Sequence, residues 1–195
     1  LSLKVMADLS EKNPEKLEIL VQNNSDQIEK LTISAIKKAE SSQEDANLIA
    51  KIVVGASEEL TNKVVEEVSK NSNEENQALS AKVMKSIVET NPDKIETLSD
   101  KNKETMIIQT IEAAKNQNEN SENKDEDLTD VIADIIMDAN VKTSGNLIWQ
   151  IANTKTKENS DLNLSILEKL NTKDFYEEKL EIISISNNLN KDSID

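Results

Sequence analysis

The sequence predicts an all-α protein assembled from tandem helical units, and three observations carry that prediction. Apolar residues recur at spacings of three and four along most of the chain, the period of one helix face rather than the alternation of a strand. Only Gly55, Gly145, Pro14 and Pro92 punctuate 195 residues, too little turn chemistry for a many-stranded sheet protein. Finally, LSAKVMKSIVETNPDKIETL (79–98) matches LSLKVMADLSEKNPEKLEIL (1–20) at eleven of twenty positions without a gap. Chance at ordinary residue frequencies supplies about one or two such identities.

Beyond these lines the correspondence continues with a shift. EKLTISAIKKA (29–39) lies over ETMIIQTIEAA (104–114), LIAKIVVGAS (48–57) over VIADIIMDAN (131–140), and VVEEVSK (64–70) over LIWQIAN (147–153). At that last offset LSAKVMKSI (79–87) falls over LNLSILEKL (162–170). The unit is therefore about 80 residues long: 1–78, 79–161, and a stretch 162–195 that reads as a truncated third unit or a C-terminal cap. A pair of amphipathic helices spanning about 40 residues buries too little surface to offset its chain entropy, so neighbours must stack. The expected product is an α-solenoid-like array with about five short helices per unit; a compact helical bundle is the competing layout. Since Leu1 already matches Leu79, the chain reads as an excerpt of a longer repeat protein.

Each element of the first unit has its own pattern. Val5, Met6 and Leu9 are expected on one face of the first helix. Pro14 opens the second, with Leu17, Leu20 and Val21 as its stripe. Ile28, Leu31, Ala35 and Ala39 mark the third, broadened by Ile33 and Ile36. Ile49, Ile52, Val53 and Ala56 mark the fourth, and Leu60, Val64, Val65 and Val68 the fifth. In the second unit Val83, Met84 and Ile87 form the first stripe, and Ile95 and Leu98 pack back against it. Asn13-Pro14 and Asn91-Pro92 read as a capping side chain ahead of a proline at the first helical position, where the missing N–H costs nothing. Glu15, Glu18, Asp93 and Glu96 then face the positive end of a helix dipole.

Composition narrows the function classes. The net charge is −15, and all 23 basic residues are lysines. Nucleic-acid binding needs clustered basic side chains, and no guanidinium offers a bidentate fork for phosphate or carboxylate; nucleic acid is not an expected partner. The Lys, Asn and Ile enrichment reads as A+T-rich coding bias. No apolar run approaches the roughly 20 residues of a membrane span. Without His or Cys there is no Ser-His-Asp triad, Cys-His pair or imidazole zinc site. Neither glycine has a second nearby, so no phosphate-binding loop is formed. Carboxylate pairs remain, but Trp149, Phe175 and Tyr176 are the whole aromatic set, too few for the platforms of a sugar site.

Three features stand out as candidates. The polar run KNQNENSENKDED (115–127) reads as a solvated loop; its sharper reading is a cation loop using Glu122, Asp125, Glu126 and Asp127, although it lacks the glycine and oxygen spacing of an EF-hand. Trp149 replaces Glu66 of the first unit, and is either packed or an exposed anchor for a partner, since Trp is enriched at binding hot spots. Phe175 and Tyr176 stand where the third unit departs from the pattern and serve as a further partner contact or a seal on the array. The expected protein is a non-enzymatic structural or protein-interaction module, a scaffold or spacer that needs no cofactor. It binds a protein partner or itself through its repeat faces; the alternative is a self-assembling filament or cell-surface layer. Composition leans toward a bacterial envelope or extracellular setting.

Overall fold

A computed structural model describes residues 3–70, 73–119, 128–139 and 141–153, with Leu164, Ile166, Glu168 and Lys169 beyond them. All regular structure among these residues is helical: α1 (Leu3–Lys12), α2 (Pro14–Ile36), α3 (Gln43–Gly55), α4 (Glu58–Val68), α5 (Glu74–Thr90), α6 (Asp93–Glu96), α7 (Asp100–Glu119), α8 (Leu128–Asp138) and α9 (Val141–Asn153). The all-α class is therefore observed.

The helix starts differ from expectation in detail. Ser42, Ser57 and Asn73 cap α3, α4 and α5, their side-chain oxygens accepting from Asp45 N, Leu60 N and Asn76 N. Asn13 stands before Pro14 but makes no side-chain capping bond. Asn91 instead closes α5, its backbone N–H donating to Ile87 O. Proline alone sets φ and removes one orphan donor at these two starts. The separate second and third helices expected in the first unit run together as α2, broken only at Asn24, whose backbone leaves helical geometry (φ −145°, ψ 42°). At the matching place further along, α6 and α7 remain distinct.

Helix α5 lies at the centre. It packs on α3 along one side and on α7 and α8 along the other, while α1 packs on α2 and α3, α4 on α2 and α3, and α9 on α7 and α8. The core is aliphatic: Met6, Leu17, Ile49, Ile52, Met84, Ile87, Ile95, Met106, Ile132, Ile135, Ile136 and Leu147 are its largest fully buried side chains. The expected stripes of α3, α4 and α5 are buried throughout, as are Ile95 and Leu98. Those of α1 and α2 are not. Met6 and Leu17 are buried, whereas Val5, Leu20 and Leu31 face solvent. Their helical spacing is right, but among the described residues no helix buries them.

Two corners have the same construction. At the α3–α4 turn the buried Thr61 Oγ1 donates to Val53 O at 2.9 Å and approaches Ala56 O. At the α8–α9 turn the buried Ser144 Oγ donates to Ile136 O at 2.8 Å and approaches Ala139 O. Each hydroxyl reaches back to the orphan carbonyls that end the preceding helix. Removing a buried donor leaves such carbonyls short of a partner, at a cost of about 1–3 kcal/mol. Thr61→Val and Ser144→Ala are each expected to lower stability by about 1–2 kcal/mol, read as a reduced urea midpoint with an unchanged slope.

The two glycines have opposite surroundings. A Cβ on Gly55 would lie 2.7 Å from the Ser10 carbonyl carbon and closer still to its oxygen, so glycine is what lets α1 cross α3 at this distance. A Cβ on Gly145 would meet nothing within 4 Å. Gly55→Ala is expected to destabilise by about 1–3 kcal/mol through overpacking. Gly145→Ala, inside a helix with room to spare, is expected to stabilise by about 0.5–1 kcal/mol. Thermal melts of the two variants should move in opposite directions.

Candidate interaction surface

The exposed apolar residues of α1 and α2 form the first candidate surface. Val5, Leu20 and Leu31 make it up, at 46%, 38% and 38% exposed. Beside them lies a hollow of about 480 Å³, walled by Leu3, Leu31, Ser34, Ala35, Lys38 and Ala39, with Asp45 at its edge. The three elements that build it are the start of α1, the last turns of α2 and the start of α3. An aliphatic floor with a lysine and a carboxylate at its margin suits the side chains of a protein partner.

Trp149 marks the second. It sits on α9, 41% exposed, over a hollow of about 270 Å³ shared with Asp100, Lys103, Glu104, Ile107, Asn146 and Gln150. Lys103 also closes a polar network beneath it. Its ammonium lies 2.8 Å from Glu96 Oε2, and Thr143 Oγ1 donates to Glu96 Oε1 at 2.7 Å. These bonds tie α6, α7 and α9 together and hold the hollow's wall in one arrangement.

A third hollow, of about 510 Å³, runs between α1, α3 and α5 past Ser10, Glu11, Asn47, Lys51, Ser86 and Glu89. Two pairs of its polar groups are engaged with one another, while the buried Ser10 hydroxyl has no hydrogen-bond partner among the described residues. Lys51 Nζ is 3.0 Å from Glu11 Oε2, and Ser86 Oγ donates to Asn47 Oδ1 at 2.7 Å. Elsewhere Lys63 bridges α4 to α2 by pairing with Glu29, and pairs along α4 with Glu59. The hydrogen bond to Glu29 and the two negative charges raise its pKa above the ordinary lysine value against the opposing effect of desolvation. Lys94, whose ammonium donates to Ala56 O at 3.0 Å, is shifted the other way by burial, opposed by Glu58. Both lysines serve helix-to-helix contacts.

Of the residues singled out in the sequence, Trp149 is placed on the surface with the neighbours above. Glu122, Asp125, Glu126 and Asp127, and likewise Phe175 and Tyr176, lie outside the described residues. Among the described residues no group of three or more carboxylates is gathered as a metal site. No described helix is long and apolar enough to cross a membrane. The α1–α2 surface was missed by sequence reasoning, because the spacing of Val5 and Leu31 is that of a buried stripe. No protein family, curated protein or solved structure matches the chain.

The placement of Trp149 has a direct optical consequence. As the sole tryptophan, it is expected to emit at long wavelength and to be quenched readily by iodide or acrylamide. A blue, protected spectrum would contradict an outward indole.

Proposed function

We propose that this chain is a non-enzymatic helical-repeat module, a scaffold or spacer that engages other proteins through its helix faces. One recurrence carries the reading. At the α3–α5 junction Ser86 bonds to Asn47 at 2.7 Å. At the sequence-matched positions Lys169 pairs with Asp130 of α8 at 2.8 Å. The residues differ but the positions coincide, each shifted by the 83 residues that also separate Thr61 from Ser144. A joint reused with new side chains is what stacked units require, since each buries its open side only against the next. The aliphatic, nearly aromatic-free core suits the same design: thin layers of paired helices need side chains of modest size.

Growth in one direction is the test. A second copy of residues 79–161 is inserted after residue 161, and solution scattering is compared with the parent. A stacked array should lengthen by about 20 Å, two interhelix spacings of 8–10 Å, while keeping its cross-section. A compact bundle of the same added mass would raise its radius of gyration by only about 14%, and that result would refute the spacer reading. The exposed residues of α1 and α2 favour a second reading, self-assembly into a filament or layer. Sedimentation that stays monomeric as concentration rises would remove it.

A further inference from the structure

The open side of α1 and α2 has a buried counterpart within the same molecule. Val5 corresponds to Val83, Leu20 to Leu98 and Leu31 to Met106. Val5, Leu20 and Leu31 are 46%, 38% and 38% exposed, while Val83, Leu98 and Met106 are 0%, 4% and 1% exposed. What covers the second set is the α3–α4 hairpin, as the polar bonds around it show. Lys82 Nζ donates to Ser41 O ahead of α3, Ser86 bonds to Asn47 of α3, and Ser80 meets Ser69 at the end of α4. On the helical wheel Val83 falls within the arc that Ser86 and Ser80 bound. Met106 shares its stripe with Asn102, which donates to Asn62 O of α4, and with Gln109, which donates to Ser69 O. Leu98 is next to Ser99, whose N–H donates to Asn62 Oδ1.

We infer that the α1–α2 face is a docking site for one more hairpin of the α3–α4 kind, seated as α3–α4 sits on α5 and α7. The inference rests on the repeat reading above and names the partner that reading leaves open. Lys4 stands at the position of Lys82 and is exposed, so the ammonium that serves the carbonyl ahead of α3 is in place. Asp8 stands where Ser86 is. Asp8 is held on its own helix only by an exposed pairing of one oxygen with Lys12 at 3.4 Å, and the amides at the Gln43 and Asn47 positions of the incoming helix supply donors to the carboxylate. A second copy offering its α8–α9 hairpin would instead set Asp130 against Asp8. That position is also taken already, by Lys169 pairing with Asp130 at 2.8 Å. The charge pattern thus selects an α3-type hairpin over the chain's own far end.

The test uses the absence of cysteine from the chain. Residues 1–78 are fused ahead of Leu1, so that residue 78 of the added unit is followed by Leu1 as residue 78 is natively followed by Leu79. Leu31→Cys in the original copy, exposed and tolerant of change, is then labelled with a maleimide in the parent and in the extended chain. Labelling is expected to slow at least tenfold in the extended chain. Asn47→Asp in the added unit should restore at least threefold of that rate. Ile19→Cys matches the exposed Thr97 and should label equally in both chains, which separates docking from a general slowing. Unchanged labelling of Leu31→Cys in an extended chain that scatters as a longer particle would overturn the docking while leaving the spacer reading intact. Concentration-dependent protection in the parent would assign the face to a second copy and also overturn it.

Discussion

Helix α5 is covered on two sides at once, and the rest of the structure follows from that demand. Lys82 and Ser86 reach α3 and the segment ahead of it, Met84 accepts from Thr110 of α7, and Lys85 pairs with Asp134 of α8 at 3.1 Å. Between these polar edges Ala81, Val83, Met84, Ile87 and Val88 are buried in almost every direction. A helix of this kind has no solvated face wide enough to stand alone, so α3 and α8 must both be present for it to be stable. Burying the aliphatic face of α5 is what joins the first four helices to the last four.

The same demand explains the character of the core. With Trp149 outward and the other aromatics beyond the described residues, layers are filled by Ile, Leu, Val, Ala and Met, and helices approach closely. At Gly55 the approach is so close that no side chain fits. Where α9 meets α6 and α7, packing is instead partly polar, through Lys103, Glu96 and Thr143. The first four helices carry Ile28, Glu18 and Leu60 at the corresponding places. A partly buried pair of this kind adds little net stability over an apolar contact but is selective about geometry. It holds α9 in one register at the end of the described array of helices.

Much of the architecture is legible in the sequence because burial and helical period leave the same mark. Ile49, Ile52, Val53, Val64, Val65 and Val83 are all recognisable from spacing alone. The exposure of Val5, Leu20 and Leu31 is not, and the reason is instructive. Local pattern records which side of a helix is apolar; it carries no information about which neighbour is present. Identical residues at 5 and 83, and at 20 and 98, therefore have opposite environments. The caps at Ser42 and Ser57 were equally hidden, since Ser is so frequent here that position alone does not single them out. Proline at residues 14 and 92 drew attention to asparagines that do not cap. Of the candidate surfaces, the sequence pointed to Trp149 by its departure from Glu66, a contrast visible only because a sister line exists.

The hydroxyl-locked corners have a mechanical meaning. Thr61 and Ser144 each bind the carbonyls of the helix behind them, so α3 with α4, and α8 with α9, behave as stiff brackets. Bending a bracket exposes a buried O–H and its acceptor together. Compliance is left to the places without such a lock, chiefly Asn24, where α2 already leaves helical geometry. Under tension along the chain the brackets keep their angle while the segments between them extend. Strain on these helices is therefore taken up first in α2, at Asn24, rather than at either corner.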